Sequence, residues 1–310
     1  MTMPAATRAN PTPLSGWLGY AALLALGAIL YVLCKYFPAD LPFWMPWEFS
    51  WVEFLATTLT LAWFFAGLRA LPKAEHPPLW RSICFVAGVA SLYIVLQTHI
   101  DYYAQHMFFV HRWAHFVLHH AGAFLIALGV SGPVIRAGMP DFLKPVIDAR
   151  PVCRAMDFLQ HPAVAPVLFV GLLYFWLIPS IHTIVMLNRD LYDVMNWTMA
   201  LNGVMFWSLV LDPRPKPPAR LSPLIRGLMI LLIELPQMVL GAILSLSMTD
   251  YYPVYKICGR ALDFSALSDM HYGGLIIWLP GTLTSFAAMI IVLVNLRLNE
   301  EREEREKASA

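Results

Sequence analysis

An all-α fold, a bundle of helices crossing a membrane several times, is what this sequence predicts, on three observations. Of the 310 residues, 59% are hydrophobic and only 13% charged, whereas an ordinary soluble domain carries about a quarter charged. Several apolar stretches exceed about 18 residues, the length a helix needs to cross hydrocarbon. Lys and Arg gather on alternate connections, the pattern by which basic loops orient a membrane protein.

Taken in order, the apolar runs place about eight spans, near 16–35, 50–71, 81–99, 106–129, 163–182, 191–211, 223–247 and 271–296. The first is read as a span because no cleavage-like site follows a short apolar core, as a signal peptide would need. The third and fourth are joined by a short polar link containing Asp101. Pro179 and His182 mark the outer end of the fifth. The seventh carries Glu234 in LIELPQMVLG, where a charge costs about 2.5–3.5 kcal/mol on insertion scales. Its structural reading is that Pro236 frees a carbonyl which Glu234 or Gln237 helps satisfy; a proton or ion relay is the alternative. The eighth opens at His271 in SDMHYGGLIIWLPG, and the tail NEEREEREKASA reads as a solvated helical end of close opposite charges.

Residues 130–162 contain five prolines and are expected to lie along the membrane surface, and 248–270 form the other long connection. No internal repeat or second domain is evident. The organisation is a segment 1–15, a single transmembrane domain 16–296 and a charged tail 297–310. Cys34, Cys84, Cys153 and Cys258 form no C-x-x-C pair, so no zinc-ribbon or thioredoxin-like site is indicated.

With the N-terminus in the cytoplasm, sixteen Lys and Arg fall on that side, against Lys35, Arg112, Arg189, Lys256 and Arg260 on the other. Both termini are therefore assigned to the cytoplasm. His99, His106, His111, His115, His119, His120, His182 and His271 then lie in the outer half or the outer loops, and only His76 and His161 lie inside.

Six of the ten histidines occur between residues 99 and 120, in HIDYYAQHMFFVHRWAHFVLHH. Ionisable side chains inside a membrane are costly and mark function. Four-residue spacing puts His111, His115 and His119 on one stripe of a helix, with His120 pointing away and His106 on the other side. Imidazole suits copper, zinc and iron, and thioether favours Cu(I), so Met107, Met248 and Met270 are candidates for copper transfer. The plain alternative is interfacial histidines hydrogen-bonded to neighbouring helices. His271 and His182, each taken alone, read as interfacial anchors. Asp101, Asp193, Asp269 and Glu53 are expected to face water or cap helices, with support of a ligating imidazole as the lesser role.

HRWAHFVLHHAGAFLIALG at 111–129, HPAVAPVLFVGLLYFWLIP at 161–179, NGVMFWSLVLDPRP at 202–215, LPQMVLGAILS at 235–245, YYPVY at 251–255 and LSDMHYGGLIIWLPG at 267–281 together resemble the CtaG family of bacterial cytochrome c oxidase assembly factors. The resemblance runs from about residue 99 to 296. The family's His-x-x-x-His pair maps onto His111 and His115. This chain has Ala114 where the family often has Gln, and Ala123 where it often has Pro. A second family pair, near the start of the sixth span, is replaced by Tyr192 and Asn196. The resemblance implies assembly rather than turnover. It implies copper, as Cu(I), held among His111, His115, His119, His271, His106 and His182 at the outer face. The implied partners are a haem-copper oxidase subunit, a periplasmic copper chaperone and the lipid bilayer, with no nucleic acid, and the implied location is the bacterial inner membrane. Three other readings stay open: a scaffold for an oxidase subunit that binds no metal, a membrane His-box di-iron enzyme, and a haem b protein with axial histidines on two helices.

Overall fold

A computed structural model describes residues 17–309, which are helical throughout, with no strand among them. The expected N-terminal segment 1–15 lies outside the described residues. The helices are α1 (Trp17–Tyr36), α2 (Trp51–Ala70), α3 (Leu79–Gln97), α4 (His99–His106), α5 (Phe108–Phe116), α6 (Gly122–Gly129), α7 (Gly132–Gly138), α8 (Lys144–Ile147), α9 (Arg150–Leu159), α10 (Val164–Leu177), α11 (Pro179–Met186), α12 (Arg189–Val210), α13 (Pro223–Leu246), α14 (Val254–Cys258) and α15 (Ala266–Ser309). A π-helical turn, Val117–Ala121, joins α5 to α6.

Five helices, α1, α2, α3, α13 and α15, are long and apolar enough to cross a membrane. Two bent pairs raise the number to seven: α5 through α6 with α7, bent by 72°, and α9 with α10, bent by 75°. The expected eight spans are thus represented by five to seven candidates. The shortfall falls on α12. Its 22 residues suffice in length, but Arg189, Asp190, Asp193, Asn196 and Asn202 lower its hydropathy. It nonetheless lies inside the bundle, with Met195, Met199, Phe206 and Trp207 buried.

Three expected boundaries move. The fourth span begins at Phe108 rather than 106, because Met107 is extended (φ −139°, ψ 124°) and ends α4. Ile178, held extended by Pro179, breaks the fifth span. Residues 130–162 do not all lie along the surface, since α7 folds back onto α2. That return depends on glycine: a Cβ on Gly138 would sit 2.0 Å from the Trp63 carbonyl, and one on Gly67 1.8 Å from the Val134 carbonyl. Between α8 and α10, α9 has no buried residue, so only this part of the connection is free of the bundle. The charged tail continues α15 without a break.

Side-chain bonds tie the connections together at two ends of the bundle. At one end, Gln97 Nε2 donates to Glu53 Oε2 and the Ser50 carbonyl, both 3.0 Å, Tyr192 O–H donates to Asp101 at 2.7 Å, and Tyr252 O–H donates to the Leu177 carbonyl at 2.9 Å. At the other, Arg226 donates to the Leu221 and Arg214 carbonyls, Asn299 donates to the Pro213 carbonyl, and Arg220 pairs with Asp157. The second end gathers most of the Lys and Arg.

Asp269 does not face water as expected. Fully buried near the start of α15, it accepts the Phe108 and Phe109 amides at 3.1 and 2.8 Å and meets Arg260 at 3.4 Å. The orphan amides that open α5 are therefore capped from another helix, which fixes where the histidines begin. Asp269→Asn keeps one acceptor and loses the negative charge at the helix N-terminus, so it should destabilise the protein by about 1–2 kcal/mol. A thermal melt in detergent checks this, and an unchanged midpoint would show that the cap does not hold α5.

Candidate functional site

The histidines of the fourth span are reached from the Asp269-capped start of α5. His111 and His115, one turn apart, stack with ring centroids 4.4 Å apart and planes at 26°. His182, on α11, stands at 81° to His111 with centroids 5.3 Å apart. All three are buried. His111 is the unusual one, because neither of its ring nitrogens has a hydrogen-bond partner. A buried polar atom left unpaired calls for an explanation.

The expected stripe does not continue to His119. The π-helical turn adds a residue to the helical repeat and rotates everything after it, a feature frequent at functional sites. His119 therefore stacks on Phe169 at 3.7 Å, and His120 turns inward beside it instead of away. Two residues of neighbouring helices hold the turn: Trp207 Nε1 donates to the His119 carbonyl at 3.0 Å, and Gly203, whose Cβ would lie 2.6 Å from that same carbonyl, lets α12 approach.

Three histidines repeat one arrangement. His115 Nε2–H donates to Asn196 Oδ1 at 3.1 Å, His119 Nε2–H to Asn202 Oδ1 at 3.3 Å, and His120 Nε2–H to Gln237 Oε1 at 2.8 Å. Each then presents Nδ1, buried and without a partner. A ring whose far N–H is fixed by a carbonyl, with its near lone pair open, is the state in which imidazole binds a metal. Copper fits this donor chemistry. His111 and His115, at i and i+4 on one face, are the pair best placed to share an ion. Among the described residues no group of three or more His, Cys, Asp or Glu stands in metal-holding arrangement.

The remaining predicted residues are placed elsewhere. His182 has both nitrogens engaged, Nδ1–H donating to the Trp176 carbonyl and Nε2 accepting from Tyr255 O–H, each at 3.1 Å. His106 lies on α4 against Tyr102, with Nδ1 2.8 Å from the Tyr102 carbonyl. His271 meets the Ser247 carbonyl at 2.7 Å and touches no other imidazole ring. Met107 and Met270 are buried and Met248 is exposed; Met270 sulfur accepts from the Tyr251 amide.

Several residues near the histidines were not anticipated: His120, Arg112, Asn202 and Met199. Tyr192 and Asn196, noted only as replacements for a lost histidine pair, hold the remaining one, Asn196 through His115 and Tyr192 edge-on to His111 at 5.8 Å. Asp101, between the spans, is buried rather than water-facing. Burial pushes its carboxyl up to about 6, against hydrogen bonds from Tyr192, Gln105 and Trp47 that pull it down. Glu234 accepts from Thr282 on α15, while Gln237 Nε2 donates to the Ile233 carbonyl and Tyr174 O–H to that of Pro236. All of these contacts knit helices together, in line with the structural reading.

Two relatives, an uncharacterized protein of Mycobacterium bovis and one of Mycobacterium tuberculosis, are each 26% identical over 278 residues, which is 85% of this chain and 40% of theirs. The chain thus spans less than half the length of these relatives. No solved structure matches. The model of the cytochrome c oxidase caa3 assembly factor family (Caa3_CtaG) matches residues 62–298, which takes in the capped start of α5, the histidines, and the Asn and Gln residues that orient them. The chain belongs to that family of cytochrome c oxidase assembly factors.

Proposed function

We propose that this chain matures a haem-copper oxidase by holding copper, as Cu(I), at His111 and His115 on the outer side of the bacterial inner membrane and passing it to an oxidase subunit. The observation that carries this is His111, fully buried with both ring nitrogens unpartnered, stacked on a histidine whose own Nδ1 is open. The bias of Lys and Arg toward the opposite end of the bundle supports the outer placement, with both termini in the cytoplasm. A two-histidine site favours transfer over storage, because a closed four-ligand cage releases its metal slowly. The fixed guanidinium of Arg112 opposes a doubly charged ion more than a singly charged one, which favours Cu(I). A soluble periplasmic chaperone is the natural donor.

The lack of a third ligand favours a second reading, a scaffold that positions an oxidase subunit without metal. A deletion strain separates the two. The copper reading expects oxidase activity to fall and to recover partly when copper is added to the medium. A fall that no copper restores would favour the scaffold, and unchanged activity would reject the assembly role in this organism.

A further inference from the structure

We propose that the bundle interior holds a small monovalent anion, chloride in practice, in the cavity beside Arg112. Arg112 is 1% exposed, and Nε, Nη1 and Nη2 all lack a hydrogen-bond partner. It forms no ion pair among the described residues. Its guanidinium lies over the Phe108 ring, 5.2 Å from the centroid, a contact that supplies attraction but no counter-charge. Asp269 is close in the fold but already spent on two amides and Arg260. A buried charge left unpaired in a membrane interior is costly, and here the protein offers nothing to neutralise it.

The cavity that Arg112 lines, together with His115, His119, His120 and Gln237, has a volume of about 20 Å³. A single water needs roughly 10–15 Å³, so the space admits one water-sized occupant and excludes phosphate or an organic acid. Water of that size offers a dipole, whereas a monatomic anion offers the missing charge as well. The apolar remainder of the wall, Phe116, Leu173 and Ile276 among it, suits a weakly hydrated halide. Such an ion would also offset the guanidinium's repulsion of copper nearby, but the site stands without that role, since neither Arg112 nor the cavity uses His111.

The test is the thermal unfolding of the purified full chain, in sodium chloride and in sodium gluconate at equal ionic strength and pH. Chloride at ten times its Kd should raise the midpoint by about 3 °C. Crystals soaked in bromide should show an anomalous peak within hydrogen-bond distance of Arg112. Arg112→Met should lose both signals, while His111→Ala with His115→Ala should keep both, so that failure of the copper reading remains distinct. Equal midpoints in the two salts, or a chloride response that survives in Arg112→Met, would overturn the proposal. Should Arg112→Met not fold, the bromide map of the wild-type chain decides: a peak at Arg112 upholds the site and an empty cavity refutes it.

Discussion

A strain whose only copy carries His111→Ala and His115→Ala is expected to lose most of its oxidase activity while the variant chain still accumulates in the membrane. The two imidazoles are asymmetric in what their loss costs the fold. His111 makes no hydrogen bond, so its truncation strands no partner. His115 leaves Asn196 Oδ1 unsatisfied, a penalty of about 1–3 kcal/mol. Loss of metal affinity should exceed the roughly 10–100-fold that removal of a ligand's supporting residue costs, because here the ligands themselves are gone. Asn196→Ala, which frees His115 without deleting it, should fall between the double variant and the wild type. Oxidase activity in isolated membranes, normalised to variant abundance by immunoblot, checks both. Full activity at normal abundance would show that neither ring takes part.

Gly138→Ala should be the most damaging single methyl in the chain. Its Cβ would stand 2.0 Å from the Trp63 carbonyl and 2.4 Å from the Gly67 amide. Both neighbours are backbone in the middle of α2, and neither can swing aside as a side-chain tip can. Relief therefore requires α7 to leave α2, exposing Val134 and the helix surface it covers. A loss above about 4 kcal/mol is expected, in the range reserved for overpacking and buried backbone clashes. Gly132→Ala is the matched control: it opens the same helix, and its Cβ would meet nothing within 4 Å, so it should be near neutral. Membrane abundance and the unfolding midpoint in detergent measure both. Equal stability of the two variants would mean that α7 does not pack on α2 as described.

How much of this was legible in the sequence differs between the fold and the site. Apolar run length marked α1, α2, α3, α13 and α15, because long helices in hydrocarbon must satisfy their backbone internally and stay apolar outside. The same rule obscured α12, whose polar residues face protein rather than lipid. Pro179 was a usable sign of the break at Ile178, since the residue before proline is driven extended. The break at Met107 had no local sign, because the group that stabilises it, Asp269, lies 162 positions away. For the site, the i, i+4 spacing of His111 and His115 was readable and correct as geometry. His119 and His120 were misplaced because a π-helical turn changes the phase and leaves no mark in composition. Asn196, Asn202 and Gln237 did carry a signal, as amides inside apolar stretches that need partners. Pairing them with His115, His119 and His120 required knowing which helices touch. Arg112 was in plain view between two spans' worth of apolar residues, yet was counted only as a loop charge.

The central claim, that the stacked pair on α5 grips copper, is tested most directly by metal analysis of the purified protein after anaerobic loading with Cu(I), beside the His111→Ala, His115→Ala double variant. The account predicts about one copper per wild-type chain, with imidazole scattering in the copper X-ray absorption spectrum, and neither in the variant. Equal copper in the two proteins, or none in a wild-type chain that still restores the oxidase to a deletion strain, would contradict it.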